Sequence, residues 1–314
     1  MTDFTIIIPH RGNSLGLWST IQSCDDDLIN ARQFKWNYVI VTNGQELVPE
    51  ETGMLKMLEK SGRLLKHIHS DEPLSPPVAR QRGAAEADGR LLCFLDNHCL
   101  VGRHFFERAA LDFAGHDMDM LHSTTVFYTG DGHHYEYKLR LDYNFWGESK
   151  KVSQSYKPYR IAVGGHGGFF VKKEAWDAVG GYGPESLLNG YGGEEVLFDL
   201  QMWQMGKSNW LDPKLVHHHF TGQRGYSRHW TNEYYINLMV SASVIGGDEW
   251  LYKVFESLTT RGHIRFGENK DKPFYELLQI AQMRAKTYAD ELGAKRLMTL
   301  NELLRWFRDE NIAM

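Results

Sequence analysis

Three short, largely apolar runs, each closed by polar residues, constrain this chain more than any other feature. Phe4–Ile8 (FTIII) runs into Pro9, His10 and Arg11. Trp36–Thr42 (WNYVIVT) stops at an Asn43-Gly44 turn signal, and Leu91–Leu95 (LLCFL) leads straight into Asp96, Asn97 and His98. Such short apolar runs, the first two rich in β-branched residues, read as strands buried on both faces. Helical patterns fall between them, near residues 15–29 and 78–87, the second opened by Pro76-Pro77, and Leu64–His69 reads as a further strand. Strand and helix in alternation imply an α/β fold with a parallel sheet and right-handed crossovers. Ligands of such sheets bind at the carboxyl ends of the strands, where the three polar closures fall.

Beyond residue 118 the pattern loosens. Residues 118–128 read as a strand, and residues 131–160 as a polar, aromatic-rich insertion without clear period. Gly167–Lys172 returns to strand character, Lys173–Val179 is a short helix, Glu194–Met205 a longer one, and Leu215–Phe220 a last strand. From residue 223 onward the chain reads as helical, with periodic segments near 230–245, 248–259, 273–291 and 298–310. With 42% hydrophobic residues among 314, there is material for an independent core. A net charge of −5 argues against coating nucleic acid by bulk electrostatics, though not against a local basic groove. The odd set Cys24, Cys93 and Cys99 fits a reducing compartment better than a disulfide framework. The first residues lack the pattern of a signal peptide, and no apolar stretch is long enough to span a bilayer, so a cytoplasmic location is expected.

Four clusters carry chemistry. Asp96 and His98, two apart at a strand end, offer an oxygen and an imidazole to a divalent cation; a turn capped by Asp96 accounts for the same tripeptide. In His217-His218-His219, alternation puts the outer two on one face and His218 on the other. One of the three could complete that metal site, or the run is merely solvated. Tyr191-Gly192-Gly193-Glu194-Glu195 places two carboxylates at a helix N-terminus, suited to holding an acceptor hydroxyl and taking its proton. Two acidic residues favouring a helix start are the plainer explanation. Arg80, in Arg80-Gln81-Arg82-Gly83, suits diphosphate oxygens or is one arginine of a surface helix.

Taken in order, IIIPHRGN, VARQRGAA, FLDNHC, GGFFVKKEAWDAVGGYG, YGGEEVLFDLQMW and HHHF resemble the GT-A fold glycosyltransferases of the family 2 type. The likeness is strongest to the catalytic domain of polypeptide N-acetylgalactosaminyltransferases. It covers roughly residues 4–222 and implies a GT-A domain over 1–222, with 131–160 on the acceptor side and 223–314 a helical C-terminal subdomain. It further implies a metal-dependent transferase using a nucleotide-sugar donor, with a UDP-sugar the expected one. By the same resemblance Asp96, His98 and His218 bind Mn2+ or Mg2+, with His217 or His219 as substitutes for His218. Pro9, His10, Arg11 and Asn43 lie along the nucleoside, although many relatives carry Asp at the last position. Arg80 meets the uridine or diphosphate, Gly167 and Gly168 sit beneath the donor sugar, and Glu194 holds a hydroxyl. Glu195 stands where retaining relatives carry Asn and inverting ones a catalytic base, which leans the reading towards inversion.

The lectin domain, anchor and secretory cysteines of the animal enzymes have no counterpart, which implies an acceptor other than a secreted protein. Two acceptor classes fit: a bacterial surface glycan or glycolipid, and a hydroxymethylated pyrimidine in phage-type DNA. The acidic balance favours the first. The second is favoured by aromatics such as Tyr143, Phe145, Trp146 and Tyr156 among Lys138, Lys151 and Arg160. Residues 223–229 read as a loop that closes over the diphosphate. A sugar nucleotidyltransferase would need a glycine-rich phosphate loop after the first strand, which Pro9–Asn13 is not. A non-catalytic nucleotide-sugar binding protein would be expected to lack a metal ligand or the Gly-Gly-Glu carboxylate. Donor sugar and oligomeric state are not legible.

Overall fold

The computed structural model describes residues 2–127, 133–140, 146–150, 155–220, 232–260 and 274–312. Its first half alternates strictly: β1 (Phe4–His10), α1 (Ser14–Asn30), β2 (Trp36–Asn43), α2 (Pro49–Lys60), β3 (Leu64–Ser70), α3 (Pro76–Ala85) and β4 (Leu91–Leu95). These four strands are parallel and lie in the order β3-β2-β1-β4. Alternation along β1 sends Phe4, Ile6 and Ile8 to one face, against Leu17, Ile21 and Leu28 of α1. Ile7 goes to the other face, with Ala79 and Ala84 of α3. Both faces are covered, which is why the run carries no polar alternation.

The second half is mixed rather than parallel. After β5 (Cys99–Val101) and α4 (Phe105–Gly115) come β6 (Met120–Phe127), β7 (His133–Arg140), β8 (Trp146–Lys150), β9 (Tyr159–Arg160) and β10 (Gly168–Lys172). β10 runs antiparallel between β4 and β6. Then follow α5 (Lys173–Val179), α6 (Glu194–Gln204) and β11 (Asn209–His219). β11 lies parallel to β6 and antiparallel to β5. It begins six residues earlier than its sequence suggests, because Pro213 and a register shift between Asp212 and Val216 interrupt the alternation. Part of the aperiodic insertion is also strand: β6, β7 and β8 pair antiparallel in turn.

α7 (Asn232–Thr260), α8 (Phe274–Gly293) and α9 (Leu300–Asp309) complete the described chain. α7 is broken at Gly247, as the separate periods over 230–245 and 248–259 anticipate. These helices share one apolar core with α6: Val196, Leu200 and Trp203 pack with Met239, Leu251, Leu277, Leu303 and Phe307. The helical end therefore presses on the back of the helix whose N-terminus carries Glu194 and Glu195. No helix among the described residues is long and apolar enough to cross a membrane. Cys24, Cys93 and Cys99 are free and buried.

Candidate active site

The site forms where β4 and β11 end side by side. β4 stops at Leu95 because the next residues leave the ladder; Asp96 N–H bonds Gly167 O at 3.1 Å, and His219 pairs with Cys99 just beyond. His98 Nε2 and His219 Nε2 lie 3.1 Å apart, and His219 Nε2 is 3.3 Å from Asp96 Oδ2. All three ligand-capable atoms fall within 4.8 Å of one another. Two imidazole nitrogens and a carboxylate oxygen pointing at one another make a poor hydrogen-bond set but a suitable donor set for Mn2+ or a similar divalent cation. The residues present fit such an ion.

His219, not His218, joins Asp96 and His98. The reason is the alternation of β11, held by the pairing of His219 with Cys99 on one side and Phe127 on the other, which turns His218 to the opposite face. His217 shares the face of His219 but belongs to a different group. Its Nδ1 donates to Ser123 Oγ at 2.7 Å, and Ser123 donates in turn to Gly168 O at 2.6 Å. Burial pushes the His217 ring down to about 3, so it is neutral at any working pH. A Cβ on Gly168 would lie 2.7 Å from His217 Nδ1, which gives that glycine a packing reason independent of any donor sugar.

Arg80 ties the Asp96, His98 and His219 group to the paired glutamates. It is buried; its Nη2 donates to Asp96 Oδ1 at 2.7 Å and to His166 O at 2.9 Å, while Nη1 lies 3.9 Å from Glu194 Oε1. Burial alone would raise the Asp96 carboxyl. The Arg80 guanidinium, with His219 and His98, outweighs it and holds Asp96 well below the ordinary carboxylate range. Arg80 Nε and Nη1 and Glu194 Oε2 are buried without a hydrogen-bond partner among the described residues. Buried polar atoms left in this state are uncommon and point to a missing ligand or water.

Glu194 and Glu195 open α6. The turn before them needs Gly193, which sits at φ 84° in the left-handed region with its position closed off by Asn237 O of α7. Burial, then the adjacent Glu194 carboxylate, push Glu195 up to about 8. Glu194 is raised too, by burial partly offset by Arg80.

Two residues expected along the nucleoside also make hydrogen bonds within the protein. His10 is buried, with Nε2 2.6 Å from Glu51 Oε1 and Nδ1 2.8 Å from Asn97 Nδ2. Asn43 is buried as well, donating to His10 O at 3.2 Å and accepting from Leu74 N–H at 3.0 Å. Both lie at the expected strand ends, but their polar side-chain atoms are already satisfied. Pro9 and Arg11 are partly exposed at the same edge, and Gly167 packs beside His219.

A second group went unseen in the sequence. Asp199, in α6, accepts from Gly164 N–H at 2.6 Å and from His166 Nε2 at 2.9 Å, and lies 3.3 Å from His122. Tyr182 O–H donates to His166 Nδ1 at 2.8 Å. This buried network braces the segment 164–168, whose carbonyls hold Arg80 and Asp96. The available signal was an Asp in the otherwise apolar stretch of α6.

Of the basic-aromatic set, Tyr143, Phe145 and Lys151 lie outside the described residues, as does the expected loop 223–229. Arg160 sits over the Trp210 ring at 5.4 Å, and Lys214 over Tyr156 at 4.9 Å.

The profile of the family described as "Glycosyl transferase family 2" matches residues 5–179, more than half of the chain and every strand from β1 to β10. The chain belongs to this family. N-acetylgalactosaminyltransferase 7 of Drosophila melanogaster is 28% identical over an alignment of 184 residues that covers 52% of this family 2 chain and 30% of the fly protein. A crystal structure of GalNAc-T7 with UDP, GalNAc and Mn2+ is similar over 93% of this chain and 57% of that one, with TM-score 0.66 and 15% identity. S. aureus TarS 1–349 in complex with UDP-GlcNAc matches with TM-score 0.58 and 14% identity, over 93% and 84% of the two chains. The fold of this family 2 member is thus GT-A, and the chain spans well under two thirds of the GalNAc-T7 relatives' lengths.

Proposed function

We propose that this chain transfers a sugar from a UDP-sugar to an acceptor hydroxyl, with Mn2+ or Mg2+ held by Asp96, His98 and His219. The observation that carries the reading is the convergence of those three side chains, linked through Arg80 to a carboxylate pair at a helix N-terminus. When bound there, the cation supplies positive charge to a departing diphosphate. UDP and Mn2+ in the GalNAc-T7 structure, and UDP-GlcNAc in that of TarS, support the choice of donor and metal.

Arg80 keeps Asp96 ionised, so the ligand is ready without losing a proton first. Glu194, close to Arg80, holds the sugar or acceptor hydroxyl. Glu195 takes the proton of the acceptor hydroxyl as its oxygen bonds to the anomeric carbon and the bond from that carbon to the diphosphate breaks. This is a direct displacement with inversion. A base with a pKa near 8 is matched to proton transfer at mildly alkaline pH.

The test is release of UDP from a panel of UDP-sugars with Mn2+, with and without a glycan acceptor or hydroxymethylated DNA. The expected result is turnover that EDTA abolishes and Mn2+ restores, accelerated by one acceptor class. Turnover that survives EDTA would contradict the assignment.

A further inference from the structure

A continuous line of hydrogen bonds runs from α2 to the candidate metal ligands. Glu51 lies in the first turn of α2, where the helix dipole favours its charge. Its carboxylate is fixed by Ser14 Oγ at 2.8 Å and Val48 N–H at 3.1 Å, and it faces His10 Nε2 at 2.6 Å. His10 Nδ1 meets Asn97 Nδ2 at 2.8 Å, and Asn97 Oδ1 meets His98 Nδ1 at 2.9 Å. His98 Nε2 then points at His219 and Asp96.

Donor and acceptor rules orient this line uniquely. An ionised carboxylate only accepts, so His10 Nε2 carries the proton. Asn97 Nδ2, which only donates, faces His10 Nδ1, so that nitrogen is an acceptor and the ring is neutral, the form its burial also favours. Asn97 then presents its oxygen to His98, whose Nδ1 must carry the proton. The lone pair of His98 is thereby left on Nε2, the atom in the metal-ligating group. With the amide reversed, His98 would carry its proton on Nε2 and could not ligate.

We propose that Glu51, His10 and Asn97 are positioning residues that fix the tautomer and direction of the His98 ring and so set the affinity of the Asp96/His98/His219 group for a divalent cation. This rests on the metal reading above. The middle residue of the Asp-x-His tripeptide becomes a functional position, and His10 acts on the metal rather than on the nucleoside. Outer partners of metal-bound imidazoles change affinity by about 10–100-fold when removed.

The test measures binding of Mn2+ alone, without nucleotide, by electron paramagnetic resonance. His10→Leu and Asn97→Leu are expected to weaken binding by about 10–100-fold. Asn97→Asp, which keeps an acceptor for His98 Nδ1–H, is expected to bind at least as tightly as wild type. His10→Leu, folded by circular dichroism and binding Mn2+ like wild type, would overturn the proposal. If instead wild type binds no Mn2+, the underlying metal reading fails. Long-range 1H–15N correlation spectra of the metal-free wild type give a second readout that needs no variant. They are expected to show His10 protonated on Nε2 and His98 on Nδ1; His98 protonated on Nε2 would also overturn the proposal.

Discussion

Asp96→Asn is expected to lower donor turnover by about 10^3-fold, the equivalent of roughly 4 kcal/mol of lost charge stabilisation. The substitution keeps the shape of the side chain but removes the anionic oxygen that meets His219 and the charge that faces Arg80. Asp96→Ala is the poorer choice, because it removes the hydrogen-bond acceptor of the buried Arg80 as well as the charge, which would confuse binding with folding. Steady-state kinetics at saturating Mn2+, with a thermal melt of each variant, separate the two effects. His219→Ala should match Asp96→Asn, whereas His218→Ala should leave Mn2+ binding unchanged. That contrast matters because the resemblance aligns His218 with the metal-binding position, while His219 is the one that lies beside Asp96 and His98.

Glu195→Gln is expected to lower kcat by about 10^2–10^4-fold, the usual worth of a positioned general base. In wild type kcat/KM should rise with pH and level off above about 8, the value to which burial and Glu194 push the Glu195 carboxyl. The Gln variant should lose that rise. Stability moves the other way. A carboxyl whose pKa is raised by folding favours the folded state below its unfolded value near 4.5, and that contribution is lost as pH climbs through about 8. Glu195→Gln should therefore melt like wild type at pH 5 and higher than wild type at pH 9, by up to roughly 2–4 kcal/mol. Proton NMR of the product's anomeric centre completes the test: inversion agrees with a base at Glu195, and retention with only a small kinetic effect of Gln removes it from that role.

The legible parts of this protein were those set by local periodicity. FTIII, WNYVIVT and LLCFL are buried on both faces and appear as β1, β2 and β4, with their polar closures at one edge of the sheet. Alternation within His217-His218-His219 was legible too, but not which face meets Asp96. That depends on the pairing of β11 with β5 and β6, whose residues Cys99 and Phe127 lie 120 and 92 positions before His219. The engagement of His10 with Glu51 and of Asn43 with Leu74 was hidden for the same reason, since no spacing rule links residues 41 and 31 apart. Of the brace, Asp199 and His122 lay in segments that read as plain helix and strand, while His166 and Tyr182 lay just outside the elements the periodicity marks. Pro213 concealed the first half of β11 by breaking its alternation.

The proposed transfer depends on one cation site that joins the end of β4 to the end of β11. Crystals grown with UDP and Mn2+, and measured for anomalous scattering of manganese, test it most directly. A single strong peak is expected within bonding distance of Asp96, His98 Nε2 and His219 Nε2. A manganese peak ligated by His218, or none between these strands while UDP is bound, would contradict it.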